Sequence, residues 1–210
     1  MYLIRPPKVY QWLFKKAVFR ENADEKTVYL TFDDGPHPEA TPFVLDALES
    51  HGIKATFFVL GKNVEKHPEL FKRLKQEGHG IGNHGMNHPN GWTTSTDEFV
   101  EDVMLGKNIT ESNLFRPPYG KLTISQYRRL AQTEKIVFWD VISGDFDPRT
   151  DKQAVINNVL KNVRNGSIIV MHDSEKAMNN LIGSMNEIII SLKEKGYAFG
   201  TLQGSNEPQY

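Results

Sequence analysis

From residue 27 onward, apolar and polar positions switch between two periods. Residues 27–32 (TVYLTF) are β-branched and aromatic without an interior charge, which predicts a buried strand. Apolar residues then return at helical spacing over 41–50 (Phe43, Val44, Leu48), closed by His51 and Gly52. Residues 54–60 (KATFFVL) predict a second strand, 67–76 a second helix stopped by Gly78 and Gly80, and 80–83 a short third strand. A third helix is expected over 97–109, with Ser95 or Thr96 at its N-cap. After a Pro-rich turn follow a helix over 123–133, a strand over 136–141 and a helix over 152–163. The pattern ends with a strand over 167–171, a helix over 178–195 and a strand over 197–201.

Strand and helix patterns that alternate at this length imply a largely parallel sheet covered by helices. The pairs number fewer than the eight of a closed (β/α)₈ barrel, so the expected architecture is an open sheet or an incomplete barrel. No repeat, low-complexity stretch or linker divides the chain, which predicts one catalytic domain over 25–210 preceded by a lead segment, 1–24. In that segment Tyr10, Leu13, Phe14 and Val18 are expected to pack on the domain. Residues 1–20 carry five basic residues and no acid, so the alternative is an amphipathic stretch on an anionic membrane surface. Arg5, Pro6, Pro7 and the Lys15-Lys16 pair interrupt every apolar run there, so no secretory peptide is readable. The default expectation is therefore a cytoplasmic chain, with peripheral membrane or envelope association as the alternative. No apolar run approaches the ~20 residues of a membrane span.

Composition narrows the chemistry. At 210 residues the chain can bury roughly 70% of its unfolded surface, so a core can carry the fold unaided. It has no cysteine, which removes disulfides and thiolates, and a net charge of -1, which argues against a nucleic-acid binder. Polar residues gather where the strands end, and the carboxyl ends of parallel strands are where α/β folds place their sites. The first strand runs into Asp33-Asp34-Gly35-Pro36; two adjacent carboxylates after an apolar run are costly to bury without partners. A phosphatase would need an acid two positions after the first, where Gly35 stands. His84 and His88 follow the third strand, four residues apart, a spacing that lets two rings grip one cation; with one carboxylate they leave coordination positions open. Arg116-Pro117-Pro118-Tyr119-Gly120 is a stiff loop carrying a five-donor cation, in which amides near Tyr119 could face a ligand; the alternative is a rigid turn with an exposed Arg. Trp139 opens a segment that reaches Asp145, and Val170 and His172 end a strand where an acid or base would sit, with Asp145 placed to raise the imidazole pKa. His37, His51, His67 and His79 read as loop or surface residues.

Taken in order, TFDDGP, the H-x-x-x-H pair, RPPYG, the Trp-Asp segment ending in Asp145 and IIVMH resemble the five successive motifs of the polysaccharide deacetylase family (NodB-homology domain, carbohydrate esterase family 4). The resemblance covers roughly residues 25–202. It implies a distorted, incomplete (β/α) barrel and a hydrolase that removes N-acetyl groups from an amino-sugar polymer or oligomer of peptidoglycan or chitin type. It further implies that Asp34, His84 and His88 hold one divalent metal, zinc foremost, with cobalt, nickel or manganese as alternatives. Asp33 would be the base for the attacking water and Arg116 its ion-pair partner. A backbone N–H at Tyr119 would stabilise the oxyanion. His172 would protonate the leaving amine under the influence of Asp145. Trp139 and Val170 would line the pocket for the acetyl methyl, and Pro117 would also touch the substrate.

The chain departs from the family pattern at four positions. Gly85 stands between the metal histidines where the family has Ser or Thr, so a hydroxyl that could brace the loop is missing. Ile142 occupies an often acidic position, Phe146 replaces a Trp, and Val170 replaces the commoner Leu. Residues 89–96 (PNGWTTST) read as an ordinary loop with a half-buried Trp92, the alternative being a platform for a sugar ring. Three other functions fit part of the pattern: an amidohydrolase acting on another carbon–nitrogen bond, a sugar-binding member with weakened turnover, and a non-haem iron oxygenase, which also uses two His and one carboxylate.

Overall fold

In the computed structural model, which describes residues 3–204, eight strands form one sheet in which every strand pair is parallel. The lead segment holds helix α1 (Lys8–Leu13) and is followed by β1 (Thr27–Asp33), α2 (Ala40–Ser50), β2 (Thr56–Val59), α3 (Gly61–Lys66), α4 (Pro68–Gln76) and β3 (Gly80–Asn83). Then come α5 (Thr96–Thr110), β4 (Leu114–Phe115), a 3₁₀ turn (Pro118–Gly120), α6 (Ile124–Leu130), β5 (Lys135–Ile136) and β6 (Val141–Ile142). The chain closes with α7 (Lys152–Leu160), β7 (Ile168–His172), α8 (Met178–Glu194) and β8 (Ala198–Phe199). The strand order is β5-β4-β3-β2-β1-β7-β6, with β8 added to β1. This is the expected incomplete barrel, a curled sheet whose two edges, β5 and β6, are neighbours in sequence.

Alternation along β1 sorts its side chains into two layers. Val28, Leu30 and Phe32 belong to the largest core cluster, which α2, α7 and α8 cover with Val44, Leu45, Leu48, Val155, Leu181, Met185 and Ile188. Thr31 and Asp33 point the other way, toward Arg116. A smaller cluster of Phe58, Leu114, Val137, Ile168 and Leu202 fills the interior of the curl. Burying a Leu, Ile or Phe side chain stabilises by about 1.5–3 kcal/mol, and both faces of the central strands are buried, which is why they read as continuous apolar runs.

Several expected elements change length or split. The strand expected over 136–141 divides into β5 and β6 where the chain crosses the seam: Val137 N–H still donates to the Phe115 carbonyl of β4 and Asp140 N–H to the Ile168 carbonyl of β7, while Val18 N–H donates to the Ile136 carbonyl and Phe138 N–H to the Val18 carbonyl. The lead segment thus occupies the seam between the sheet edges. Phe14 and Phe19 stack on Phe138, at centroid distances of 5.4 and 4.9 Å, and Tyr10 meets its edge at 6.0 Å. Tyr10, Phe14 and Val18 pack as expected, but Leu13 is exposed and Phe19 takes the buried place. Helix α3 was not visible in the periodicity; at six residues it is shorter than the window in which a 3.6 period can be read. Ser95 caps α5 through a capping box with Glu98, and Thr123 caps α6 with Gln126. The last expected strand shortens to Ala198–Phe199. His79, expected at the surface, is buried; its Nδ1 accepts the Ala55 N–H and its ring packs against Phe57. Burial lowers its pKa.

Candidate active site

The sheet register sets the site residues at one level. Asp33 at the end of β1 is directly opposite His172 at the end of β7. Val59 at the end of β2 pairs with Asn83, and Asn83 pairs with Phe115. One residue further along, His84 N–H donates to the Val59 carbonyl and Arg116 N–H to the Asn83 carbonyl. Asp33, His84, Arg116 and His172 therefore emerge together from the carboxyl edge of the sheet. They border or underlie a pocket of about 650 Å³ that is also lined by Asp34, His88, Pro117, Tyr119, Trp139, Ile142, Phe146 and Val170.

Asp34, His84 and His88 converge at one point. One ligand atom from each lies within 4.8 Å of the other two, with His88 Nε2 3.2 Å and His84 Nε2 3.7 Å from Asp34 Oδ1. That oxygen is buried and, apart from the two facing ring nitrogens, has no partner among the described residues. Burial would push the Asp34 carboxyl up, but His88 beside it and the charges of His172 and His84 hold it well below the ordinary range. Burial brings His84 down to about 4, so its imidazole is neutral. Its Nδ1 lies 2.8 Å from the Arg116 carbonyl. That acceptor fixes the proton on Nδ1 and leaves the Nε2 lone pair facing Asp34. An ionised carboxylate and a neutral imidazole with a free lone pair, beside a second histidine, fit a divalent transition metal. Asp34 (φ 81°) and His88 (φ 67°) both adopt left-handed backbone, which costs of order 1–3 kcal/mol each and concentrates where geometry is imposed for function.

Two polar pairs flank this cluster. Arg116 is 1% exposed; its guanidinium donates to Asp33 Oδ1 at 2.6 Å and Thr31 Oγ1 at 2.7 Å, and lies 4.0 Å above the Phe58 ring. An extended, stacked, multiply bonded guanidinium inside the curl has little freedom, so it fixes the Asp33 carboxylate in turn. On the opposite side His172 Nδ1 is 2.8 Å from Asp145 Oδ1, while Asp145 Oδ2 accepts the His172 N–H at 2.8 Å. Burial alone would lower the His172 pKa; the Asp145 charge and hydrogen bond, with Asp34 and Asp33 beyond, raise it to about 9. Phe146 covers that ring edge-on at 4.9 Å.

All eleven residues singled out in the sequence are brought together, nine on the pocket and two, Arg116 and Asp145, behind it. Tyr119 sits at φ 59°, and its N–H donates to no backbone carbonyl among the described residues, whereas the next two amides close the turn onto Pro117 and Pro118. Trp92 departs from expectation. It is 59% exposed rather than half-buried, lies outside the pocket lining, and stands 5.0 Å from the Lys121 ammonium.

Two carboxylates escaped the reading of the sequence. Asp102 on α5 accepts the Met86 N–H (2.8 Å) and the Asn87 N–H (3.1 Å), tying down the loop between the histidines. Its carboxylate lies against Gly85, where φ is 85° and a Cβ would lie 2.8 Å from Asp102 Oδ1. Asp173, fully buried beside His172, accepts the Gly35 N–H at 3.1 Å and the Thr41 hydroxyl at 2.6 Å, clasping the turn that presents Asp33 and Asp34. Burial pushes its carboxyl up to about 8, with Asp34 and Asp33 adding to the rise against the Thr41 bond. Sequence alone gave no sign of Asp102, which reads as one more acid on a helix. An Asp directly after the His that ends an apolar strand was a usable signal for Asp173.

A parallel, curled α/β sheet with an Asp-His-His cluster between an Asp–Arg pair and a His–Asp pair defines a metal-dependent hydrolase class. The polysaccharide deacetylase family model matches residues 20–135, over half of the chain. The chain belongs to that family. It is 37% identical over 202 residues to a peptidoglycan-N-acetylglucosamine deacetylase of Bacillus cereus, covering 92% of this chain and 73% of that protein. It is 35% identical over 200 residues to the peptidoglycan-N-acetylmuramic acid deacetylase PdaA of Bacillus subtilis, covering 89% and 73%. Among solved structures, the Bc1960 peptidoglycan N-acetylglucosamine deacetylase superposes with a TM-score of 0.84 at 36% identity, covering 92% of this chain and 94% of that one.

Proposed function

We propose that the chain removes N-acetyl groups from the amino-sugar residues of a peptidoglycan-type glycan, using a zinc-class ion held by Asp34, His84 and His88. The observation that carries this reading is the convergence of that cluster with both proton-transfer pairs in one pocket. When bound, the ion would supply an acidified water and polarise the acetyl carbonyl.

The chain's own residues divide the remaining work. Asp33, fixed by Arg116, accepts the proton of the attacking water. The Tyr119 N–H, turned out of the local ladder, donates to the oxygen on which charge develops. His172, raised by Asp145, carries the proton that the leaving amine requires. Asp33 is held in place by Arg116 and His172 is raised by Asp145, and each proton transfer so catalysed is worth about 10²- to 10⁴-fold. Pro117, Trp139, Ile142, Phe146 and Val170 supply an apolar wall for the acetyl methyl. Among the alternatives, the oxygenase reading leaves Asp33, Arg116 and His172 without a task.

The decisive measurement is acetate release from N-acetylglucosamine oligomers and from purified peptidoglycan. Release should vanish on chelation, return with zinc, and fall at least about 10²-fold in Asp33→Asn with metal content unchanged. Full activity in Asp33→Asn would remove Asp33 from the role of base. Normal glycan binding without release in the metal-loaded native chain would establish the sugar-binding alternative instead.

A further inference from the structure

We infer that the lead segment is a docking surface for an anionic lipid bilayer. Residues 3–20 leave four large apolar side chains uncovered: Leu3 (59% exposed), Val9 (52%), Trp12 (68%) and Leu13 (39%). Three exposed lysines, Lys8, Lys15 and Lys16, accompany them, and no acid occurs between Met1 and Arg20. Among the described residues no ion pair engages any of the three ammonium groups, whereas Arg5 is committed to Asp140 at 2.7 Å. Tyr10, Phe14 and Phe19 anchor the same segment on Phe138, so the uncovered residues are displayed by a fixed element.

A bilayer matches this surface better than a soluble polyanion. Polyanions attract lysines but offer nothing to four uncovered apolar groups, while the interfacial region of a membrane accepts Trp, Leu and Val beside lysines that reach lipid phosphates. Each lysine held near an anionic surface contributes about fivefold to binding. The segment also touches the active-site wall: the Ile4 carbonyl accepts the N–H of Ile142, which lines the pocket.

The test is co-sedimentation of the full chain with phosphatidylcholine vesicles, with and without phosphatidylglycerol, at low and high salt. Binding should require the anionic lipid, weaken with salt, fall about 10-fold or more in Trp12→Ser, and fall about 20-fold or more in Lys15→Glu/Lys16→Glu. Circular dichroism and thermal midpoint should be unchanged in both variants, because these side chains are exposed. No binding to anionic vesicles would overturn the inference. So would binding that drops with the lysine changes yet ignores Trp12→Ser, the mark of a polyanion site. A concentration-dependent dimer abolished by Trp12→Ser would assign the surface to a second copy instead.

Discussion

Replacing Asp145 with Asn tests the acid half of the site with least disturbance of shape. The amide keeps the volume and an acceptor for the His172 N–H, and removes the charge that raises the imidazole to about 9. Without it the two largest raising influences are gone, and burial pulls the ring back toward its ordinary 6.5 against the smaller pull of Asp34 and Asp33. As a general acid His172 must be protonated, so activity declines as pH rises through its pKa. At pH 8 the native ring is protonated about nine times in ten; at 6.5 it would be protonated about 3% of the time, a loss of about 30-fold. At pH 6 titration costs less than about twofold. The same shift enters stability with a definite sign. A histidine raised in the folded state contributes fully below its unfolded value, here about 3 kcal/mol, and that contribution is lost between pH 6.5 and 9. The assay is kcat/KM for acetate release across pH, on zinc-loaded protein, beside thermal melts over the same range. An alkaline limb at the same pH in both proteins would refute the assignment of His172 as the acid tuned by Asp145.

Three further outcomes follow from the same geometry. Gly85→Ser, which restores the family's side chain, should lower stability and metal affinity rather than improve either, because φ is 85° and the new Cβ would meet Asp102; calorimetry and zinc titration check this. Asp102→Ala should release the loop between His84 and His88 and weaken zinc binding about 10- to 100-fold, the range for outer partners of ligands, with little change in the pH profile of the loaded protein. Phe138→Ala should cost about 3–5 kcal/mol and expose the lead segment to protease, since Phe14, Phe19 and Tyr10 all pack on that ring. An unchanged melting temperature and digestion pattern would show that the segment does not depend on it.

The sequence determined the class of fold and the contents of the site. Short apolar runs rich in β-branched and aromatic residues, such as TVYLTF and IIVMH, read as buried strands, and helices between them favour parallel pairing. The polar residues that follow those runs had nowhere to go but the carboxyl edge of the sheet. Short-range signals were equally legible: the Ser95 cap appears in the sequence as Ser-x-x-Glu.

Other features depended on contacts between residues distant in the chain. That the expected strand would split where Val18 bridges Val137 is decided by which backbone lies at the seam, 119 residues away. Asp102 and Asp173 acquire their tasks only when α5 and β7 approach loops 15 and 138 positions away. The His172 and His84 pKa values, moved in opposite directions, arise from burial and from charges on other strands. Local pattern reports propensity and periodicity, which a chain carries residue by residue. Proton affinity, metal geometry and loop bracing depend on distances of a few ångströms across the fold, and those exist only once the sheet has curled.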